Sequence, residues 1–299
     1  MENSKQNPNS FHLAGIVPVA GAPDTLQLEW PSSLIPIAPA YTALEAAVAE
    51  CAHMGCETIW IVSNDDVAPL LKHRLGDYVR DVDSLERGAF INFSSTAYKE
   101  IPIYYVPVHP THRDKIDCYA WSILHGANVA YWMCRRLSRW LIPDQYYVSF
   151  PHGIYDLQSL KPARSLLRDK TPLYFSYDGE TVGDDRPLPF TFDASEWRRA
   201  RDIIKSNSRT YYPPEPGEAM PTRKLPVDER LLSRRYNLGD VFGGGPIHEG
   251  KNFPLEWFYD LTTWDGYCTL LTSAHRGNIQ RPSQLVFPRG TLNKLGDTA

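Results

Sequence analysis

The chain has 299 residues, with 31 basic against 35 acidic side chains and a formal net charge of −4. That length fits one large domain, and the charge balance argues against a general polyanion binder, which normally needs a basic surplus. With 42% hydrophobic and 22% charged residues the chain is globular rather than disordered, while 25 prolines, 17 tyrosines and 8 tryptophans point to many fixed turns and stiff amphipathic side chains.

The first ten residues, Met1 to Ser10, are polar and lack the basic-then-apolar pattern of a signal peptide, so residues 1–10 read as a flexible tail. Gly15 to Val19 is a short apolar strand that runs into the turn-forming loop Ala20-Gly-Ala-Pro-Asp24. Three prolines between Pro31 and Pro39 then lead into a helix whose start is marked by Thr42 and Glu45 at capping-box spacing. Leu44, Ala47, Val48 and Cys51 follow at helical intervals, and Gly55 is the expected stop. Thr58 to Val62 is a buried strand by its β-branched and aromatic content, and a short helix from about Pro69 to Leu75 ends at Gly76.

Ile101 to Val108 is strand-like, with Pro102 and Pro107 placing its ends or marking an edge. Ile123, Ala127, Ala130, Cys134 and Leu137 mark one face of a helix over roughly 119–139, and Tyr146 to Phe150 is the next strand. Beyond Phe150 the periodicity weakens. Asp193 and Glu196 can cap a helix carrying Trp197, Ala200 and Ile203, the segment 211–226 holds five prolines, and Phe242-Gly-Gly-Gly-Pro246 reads as a joint. Glu256 to Leu261 is a last strand candidate. No run of about 18 apolar residues is present, so no segment is expected to span a bilayer. Cys51, Cys56, Cys118, Cys134 and Cys268 are odd in number and form no C-x-x-C pair, which predicts free thiols and a cytoplasmic location.

The alternation of strands and helices predicts a layered α/β/α fold with a mixed sheet, whose ligands sit beyond the carboxyl ends of the strands. The landmarks resemble the sugar-nucleotide nucleotidyltransferases, which share the A-type glycosyltransferase fold. The resemblance rests on Gly15 to Leu26 as the phosphate loop, Pro31 to Ile37 as the second element, Thr42 to Val62 as helix and strand, and Ser122 to Gly126 as a glycine turn. It continues with Tyr147 to Tyr155 at the metal-binding strand end and Trp257 to Tyr267 as the late Trp-Asp-Gly-Tyr motif. It implies a nucleotide-binding half over 11–160, an acceptor and sugar-side half of the same domain over 161–275, and a C-terminal extension, 276–299, as a tail.

The reactive positions differ from the family pattern. Pro23, Asp24 and Thr25 stand where the family has Gly-Thr-Arg, Ser32 or Ser33 replaces its lysine, and His152 replaces its magnesium-binding aspartate. An imidazole is a poor ligand for a hard, oxygen-seeking ion, which leaves Asp260 as the expected metal carboxylate for Mg²⁺ or Mn²⁺.

Each candidate residue carries a functional and a plain reading. Gly21 either lets a nucleotide approach the backbone or makes a turn at positive φ, and Asp24 and Thr25 either contact nucleotide or complete that turn. Asp65 and Asp66 either meet a ribose or cap the following helix, and Gly126 either faces a base or lets a helix pack closely. His109 and His112 are too few for a zinc site. His112, Arg113 and Lys115 are expected instead to meet an anionic substrate, with Lys115 a substitute catalytic cation. Ser32 is expected at the substrate; His152 is expected either to be catalytic or to be a satisfied polar residue in the turn before Gly153, and Asp260 to be catalytic through a metal or a sugar hydroxyl. Arg198, Arg199 and Arg201 read as a solvated helix face.

The function implied is a nucleotide- or nucleotide-sugar-dependent transferase acting on a sugar or glycosyl acceptor. Two alternatives stand beside it. One is a divergent glycosyltransferase using a nucleotide sugar, with nucleic acid entering only as a modified substrate. The other is a non-catalytic nucleotide-binding or assembly protein of the same fold. No membrane partner is expected, and neither the base, the sugar nor the oligomeric state is legible.

Overall fold

A computed structural model describes residues 11–22, 25–81, 99–108, 118–167, 170–244, 250–283 and 285. Its centre is an eight-stranded sheet. The strands of the described chain are β1 (Leu13–Pro18), β2 (Pro36–Ala38), β3 (Tyr41–Thr42), β4 (Thr58–Ser63), β5 (Tyr78–Arg80), β6 (Glu100–Pro107), β7 (Gln145–Val148), β8 (Gly153–Ile154), β9 (Leu173–Ser176), β10 (Phe190–Phe192), β11 (Lys251–Pro254) and β12 (Tyr259–Asp260). The sheet runs β11-β9-β10-β7-β1-β4-β6-β5, and its middle, β7-β1-β4-β6, is parallel. β10 joins β7 antiparallel and β5 joins β6 antiparallel, so the sheet is mixed as expected.

Period-two alternation explains why this sheet is covered on both faces. Leu13, Val17, Ile59, Ile61 and Tyr147 point into one core, against the helices Ala43–Met54, Ala68–Leu75 and Leu160–Leu166. Their neighbours Ala14, Ile16, Trp60, Val62, Tyr146 and Val148 point into the other, against Tyr119–Leu137, Ala194–Asn207 and Leu238–Phe242. The result is a three-layer α/β/α arrangement.

The capping box forms as its spacing dictates. Thr42 Oγ1 accepts from the Glu45 amide at 3.4 Å, Glu45 Oε2 accepts from the Thr42 amide at 2.9 Å, and the helix closes at Gly55 in the left-handed region. Gly76 ends the next helix and Asp193 caps Ala194–Asn207 through the amides of Ser195 and Glu196.

Several local expectations are corrected. Pro102 lies inside β6 rather than at an end, and β6 is flanked on both sides, the edge being the three-residue β5. Leu137 does not continue the buried face of its helix but is 72% exposed, because the helix outruns the sheet after Cys134. Ile204, not Ile203, is the buried partner of Ala200. Of the strand expected over 256–261 only Tyr259–Asp260 forms. β9, β10 and β11 carried no strand signal, being three or four residues long and paired near one side of the sheet.

At the C-terminal side Arg281 donates to Glu45 Oε1 at 3.1 Å and Leu285 is buried. None of the described helices is long and apolar enough to cross a membrane. All five cysteines are free thiols.

Candidate functional site

The parallel strands end side by side at Pro18, Ser63, Pro107 and Val148, and the segments after β1, β4 and β7 form the described part of the site. After β1 the chain stays on the sheet edge for two residues, since the Val19 and Ala20 amides both donate to the Val62 carbonyl, at 2.8 and 2.9 Å. It then turns at Gly21, whose φ of +79° suits glycine. A side chain is also excluded there by contact, because a Cβ would lie 2.4–2.5 Å from the backbone of Cys118. The start of the Tyr119–Leu137 helix is thus seated directly on the first loop, and Ser122 Oγ fastens it by donating to the Ala20 carbonyl at 2.7 Å.

In front of this turn lies a cavity of about 330 Å³ lined by residues 19–22, residues 28–33, Asn64 and Val67. Among the described residues its lining holds no lysine or arginine and one carboxylate, Glu29. Ser33 Oγ and Asn64 Oδ1, both on its wall, are buried without a hydrogen-bond partner, as is Ser63 Oγ at the end of β4. Buried polar atoms are normally satisfied, so orphans converging on one cavity mark where a ligand or water supplies the missing bonds.

Beside the cavity stands His152, 1% exposed. Its Nδ1 is 2.6 Å from the Tyr119 hydroxyl and its Nε2 is 3.0 Å from Ser32 Oγ. Burial lowers its pKa to about 4, so the ring is neutral at pH 7, with one nitrogen donating and the other accepting. Burial also raises the Tyr119 phenol above its ordinary range, which keeps it protonated.

The pairing of β8 with β12 sets Asp260 opposite Gly153, and the Leu261 amide donates to the His152 carbonyl at 2.7 Å. Asp260 Oδ1 accepts from the amide and hydroxyl of Thr262 at 2.9 and 2.7 Å, and Oδ2 faces Arg186 at 3.7 Å. Arg186 is held from its other side by Glu180, the main reason its pKa is raised. The late motif clamps the first loop. Thr25 Oγ1 donates to the Thr262 carbonyl, Trp264 Nε1 to the Leu26 carbonyl at 3.1 Å, and Tyr267 to the Pro36 carbonyl at 2.8 Å.

No family model matches the chain, and no curated protein matches it by sequence. Among solved structures it is similar to one described as a glucose-1-phosphate thymidylyltransferase of Bacillus anthracis in complex with sucrose, with a TM-score of 0.55, 10% identity and coverage of 91% of this chain and 98% of that one. It is also similar to a UDP-glucose pyrophosphorylase complexed with UDP-glucose, with a TM-score of 0.53, 12% identity and coverage of 87% and 97%. The fold is that of the nucleotide-diphospho-sugar transferases. At these identities the likeness carries the fold alone.

On this nucleotide-diphospho-sugar transferase fold, Gly21, Thr25, Ser32, His152 and Asp260 come together through the first loop, the His152 contacts and the β8–β12 pair. Asp65 is exposed in the turn after β4, beside the cavity residue Asn64. It does not cap the next helix, whose N-cap is Val67 without any side-chain bond. Gly126 does not face the cavity. A Cβ there would lie 2.6 Å from Val62 Cγ2 and 3.1 Å from Ile16 Cγ2, so this glycine exists to let the helix pack on β1 and β4. Asp24, His109, His112, Arg113 and Lys115 lie outside the described residues.

Both ring nitrogens of His152 are engaged inside the protein, Nδ1 with the Tyr119 hydroxyl and Nε2 with Ser32 Oγ. Among the described residues Asp260 is bonded to Thr262 and faces Arg186, and no cluster of three His, Cys, Asp or Glu side chains suited to a metal exists. The sequence reading named Ser33 only as a replacement for the family's lysine, and missed Asn64, Tyr119, Thr262 and Arg186. Asn64 carried a signal, since it follows a buried strand directly. Arg186, about 74 residues before Asp260, carried none.

Proposed function

We propose that this protein is a nucleotide-sugar-dependent transferase that binds the nucleotide in the 330 Å³ cavity at the end of β1 and β4 and presents the sugar side toward Asp260 and Arg186. The observation that carries the reading is the convergence of the unpartnered Ser33 Oγ and Asn64 Oδ1 on that cavity, in front of the Gly21 turn. A base or ribose offers the donors and acceptors these atoms lack, and the backbone at Gly21 can approach it without a side chain intervening.

The lining favours transfer from a nucleotide sugar over synthesis of one. Synthesis requires a sugar phosphate oxygen to attack the α-phosphorus of a triphosphate, forming one P–O bond while the bond to pyrophosphate breaks and its electron pair leaves with pyrophosphate. That departing charge needs cations. Among the described residues the cavity wall offers none, and Glu29 opposes it. A nucleoside diphosphate sugar carries less charge, and Arg186 is placed to meet it.

Thermal shift with UTP, dTTP, UDP-glucose and dTDP-glucose, each with and without Mg²⁺ or Mn²⁺, tests binding, because a ligand specific to the folded state raises the melting temperature. The expected result is a larger shift with the nucleotide sugars than with the triphosphates. Release of pyrophosphate from triphosphate and sugar 1-phosphate would restore the nucleotidyltransferase reading. Binding without turnover of any sugar nucleotide would favour the non-catalytic one.

A further inference from the structure

The groove between the helices Tyr119–Leu137 and Ala194–Asn207 has a different chemistry from the nucleotide cavity. It has a volume of about 220 Å³ and a floor made by the buried Tyr146. Its walls carry three arginines, Arg135, Arg198 and Arg201, and three further aromatic rings, Tyr131, Trp132 and Trp197, with no carboxylate in the lining. Trp132 is thirteen residues along the helix from Tyr119, which places the groove about 20 Å from the site described above.

The rings and guanidiniums are organised. Arg135 lies 5.2 Å from the Trp132 ring centre and 5.9 Å from that of Tyr131, and Arg201 lies 5.2 Å from that of Trp197. Trp197 is fixed by its Nε1, which donates to the Leu124 carbonyl at 3.0 Å. Trp132 is 50% exposed and leaves a flat apolar surface in solvent. Arg135, Arg198 and Arg201 form no ion pair among the described residues, whereas Arg199 is turned away and tied to Glu196 at 2.8 Å and to the Val241 carbonyl at 3.2 Å. Arg136, Arg139 and the 68% exposed Trp140 follow in the chain.

We infer that this groove binds single-stranded nucleic acid. A base stacks on Trp132, and its phosphates meet Arg135, Arg198 and Arg201. Aromatic platforms interleaved with unpaired arginines suit a strand whose bases are free to stack, and the volume accommodates about one nucleotide at a time. The chain's net charge of −4 does not oppose this, because the arginines act over a Debye length of about 8 Å and the lining carries no opposing carboxylate. An acidic protein segment would satisfy the arginines but leave Trp132 without a planar partner.

Fluorescence anisotropy of the full chain with a labelled single strand of about 20 nucleotides tests the inference. Saturable binding is expected in low salt. Trp132→Ala should weaken it about tenfold and Trp132→Phe by no more than a few-fold, since a ring is retained. The triple change Arg135→Ala, Arg198→Ala, Arg201→Ala should reduce the slope of log affinity against log salt by about 2, the value for three single-strand phosphates. These side chains line a surface groove, and a melting curve for each variant verifies folding. The inference is overturned by absence of binding or by variants that bind like the parent. It is also overturned if an equal length of polyglutamate or duplex competes as well as the strand. Free UMP competing as well as the strand would assign the groove to a mononucleotide and would overturn it too.

Discussion

Nε2 of His152 stands 3.0 Å from the hydroxyl of Ser32, joining two loops 120 residues apart in sequence. With Tyr119 on the opposite nitrogen, this imidazole ties the end of β7 and the start of a helix to the Pro31–Leu34 segment that lines the cavity. Neutral, buried imidazole is suited to that task, since it bonds on both sides without a charge to solvate.

Stability should therefore fall in mild acid through His152. Its folded pKa of about 4 lies below the ordinary 6.5, so the unfolded chain binds the extra proton first. The contribution is fully present above pH 6.5 and is lost progressively as pH falls toward 4, amounting to roughly 3 kcal/mol. Urea melts of the parent and of His152→Gln between those limits should converge as pH falls, and parallel curves would remove the assignment.

Glu50 predicts the opposite slope. It is a fully buried residue of the Ala43–Met54 helix, with Tyr147 donating to its Oε1 at 2.6 Å, and burial raises its pKa to about 8 from 4.5. Here the folded chain holds the proton longer, so the contribution is complete below pH 4.5 and is lost as pH rises to 8, a change on the order of 4 kcal/mol. In Glu50→Gln the loss between pH 6 and pH 9 should disappear in chemical denaturation, leaving a nearly flat profile.

Two glycines should separate packing from binding. Gly21→Ala places a Cβ against the Cys118 backbone at positive φ, which is expected to cost about 2–3 kcal/mol and to abolish the nucleotide-sugar thermal shift. Gly126→Ala overpacks Val62 and Ile16 and should cost about 1–3 kcal/mol while leaving the ligand dissociation constant unchanged. Isothermal titration on both variants decides this. A lost affinity in Gly126→Ala would return that residue to the site.

Arg281→Ala removes one of two cations from Glu45, which is almost fully buried and retains Arg74 at 2.7 Å. A loss of about 1–3 kcal/mol in urea denaturation is expected, less than for a buried carboxylate left with no partner. No measurable loss would show that this C-terminal contact is immaterial to the core.

The sequence determined the parts whose cause is local. Continuous apolar and β-branched runs set β1 and β4, Thr42 and Glu45 set the start of one helix and Gly55 its end, and their order set the α/β/α class with ligands at the carboxyl edge. Gly21, Ser32 and Asp260 were legible as candidates because each sits in a motif of that order. Tertiary structure alone decided what they touch. It turned Gly126 inward onto Val62, closed both nitrogens of His152 with Ser32 and Tyr119, and brought Arg186 to Asp260. The physical reason is that burial and hydrogen-bond partnership belong to pairs of residues far apart in the chain, whereas periodicity and capping are complete within a few residues.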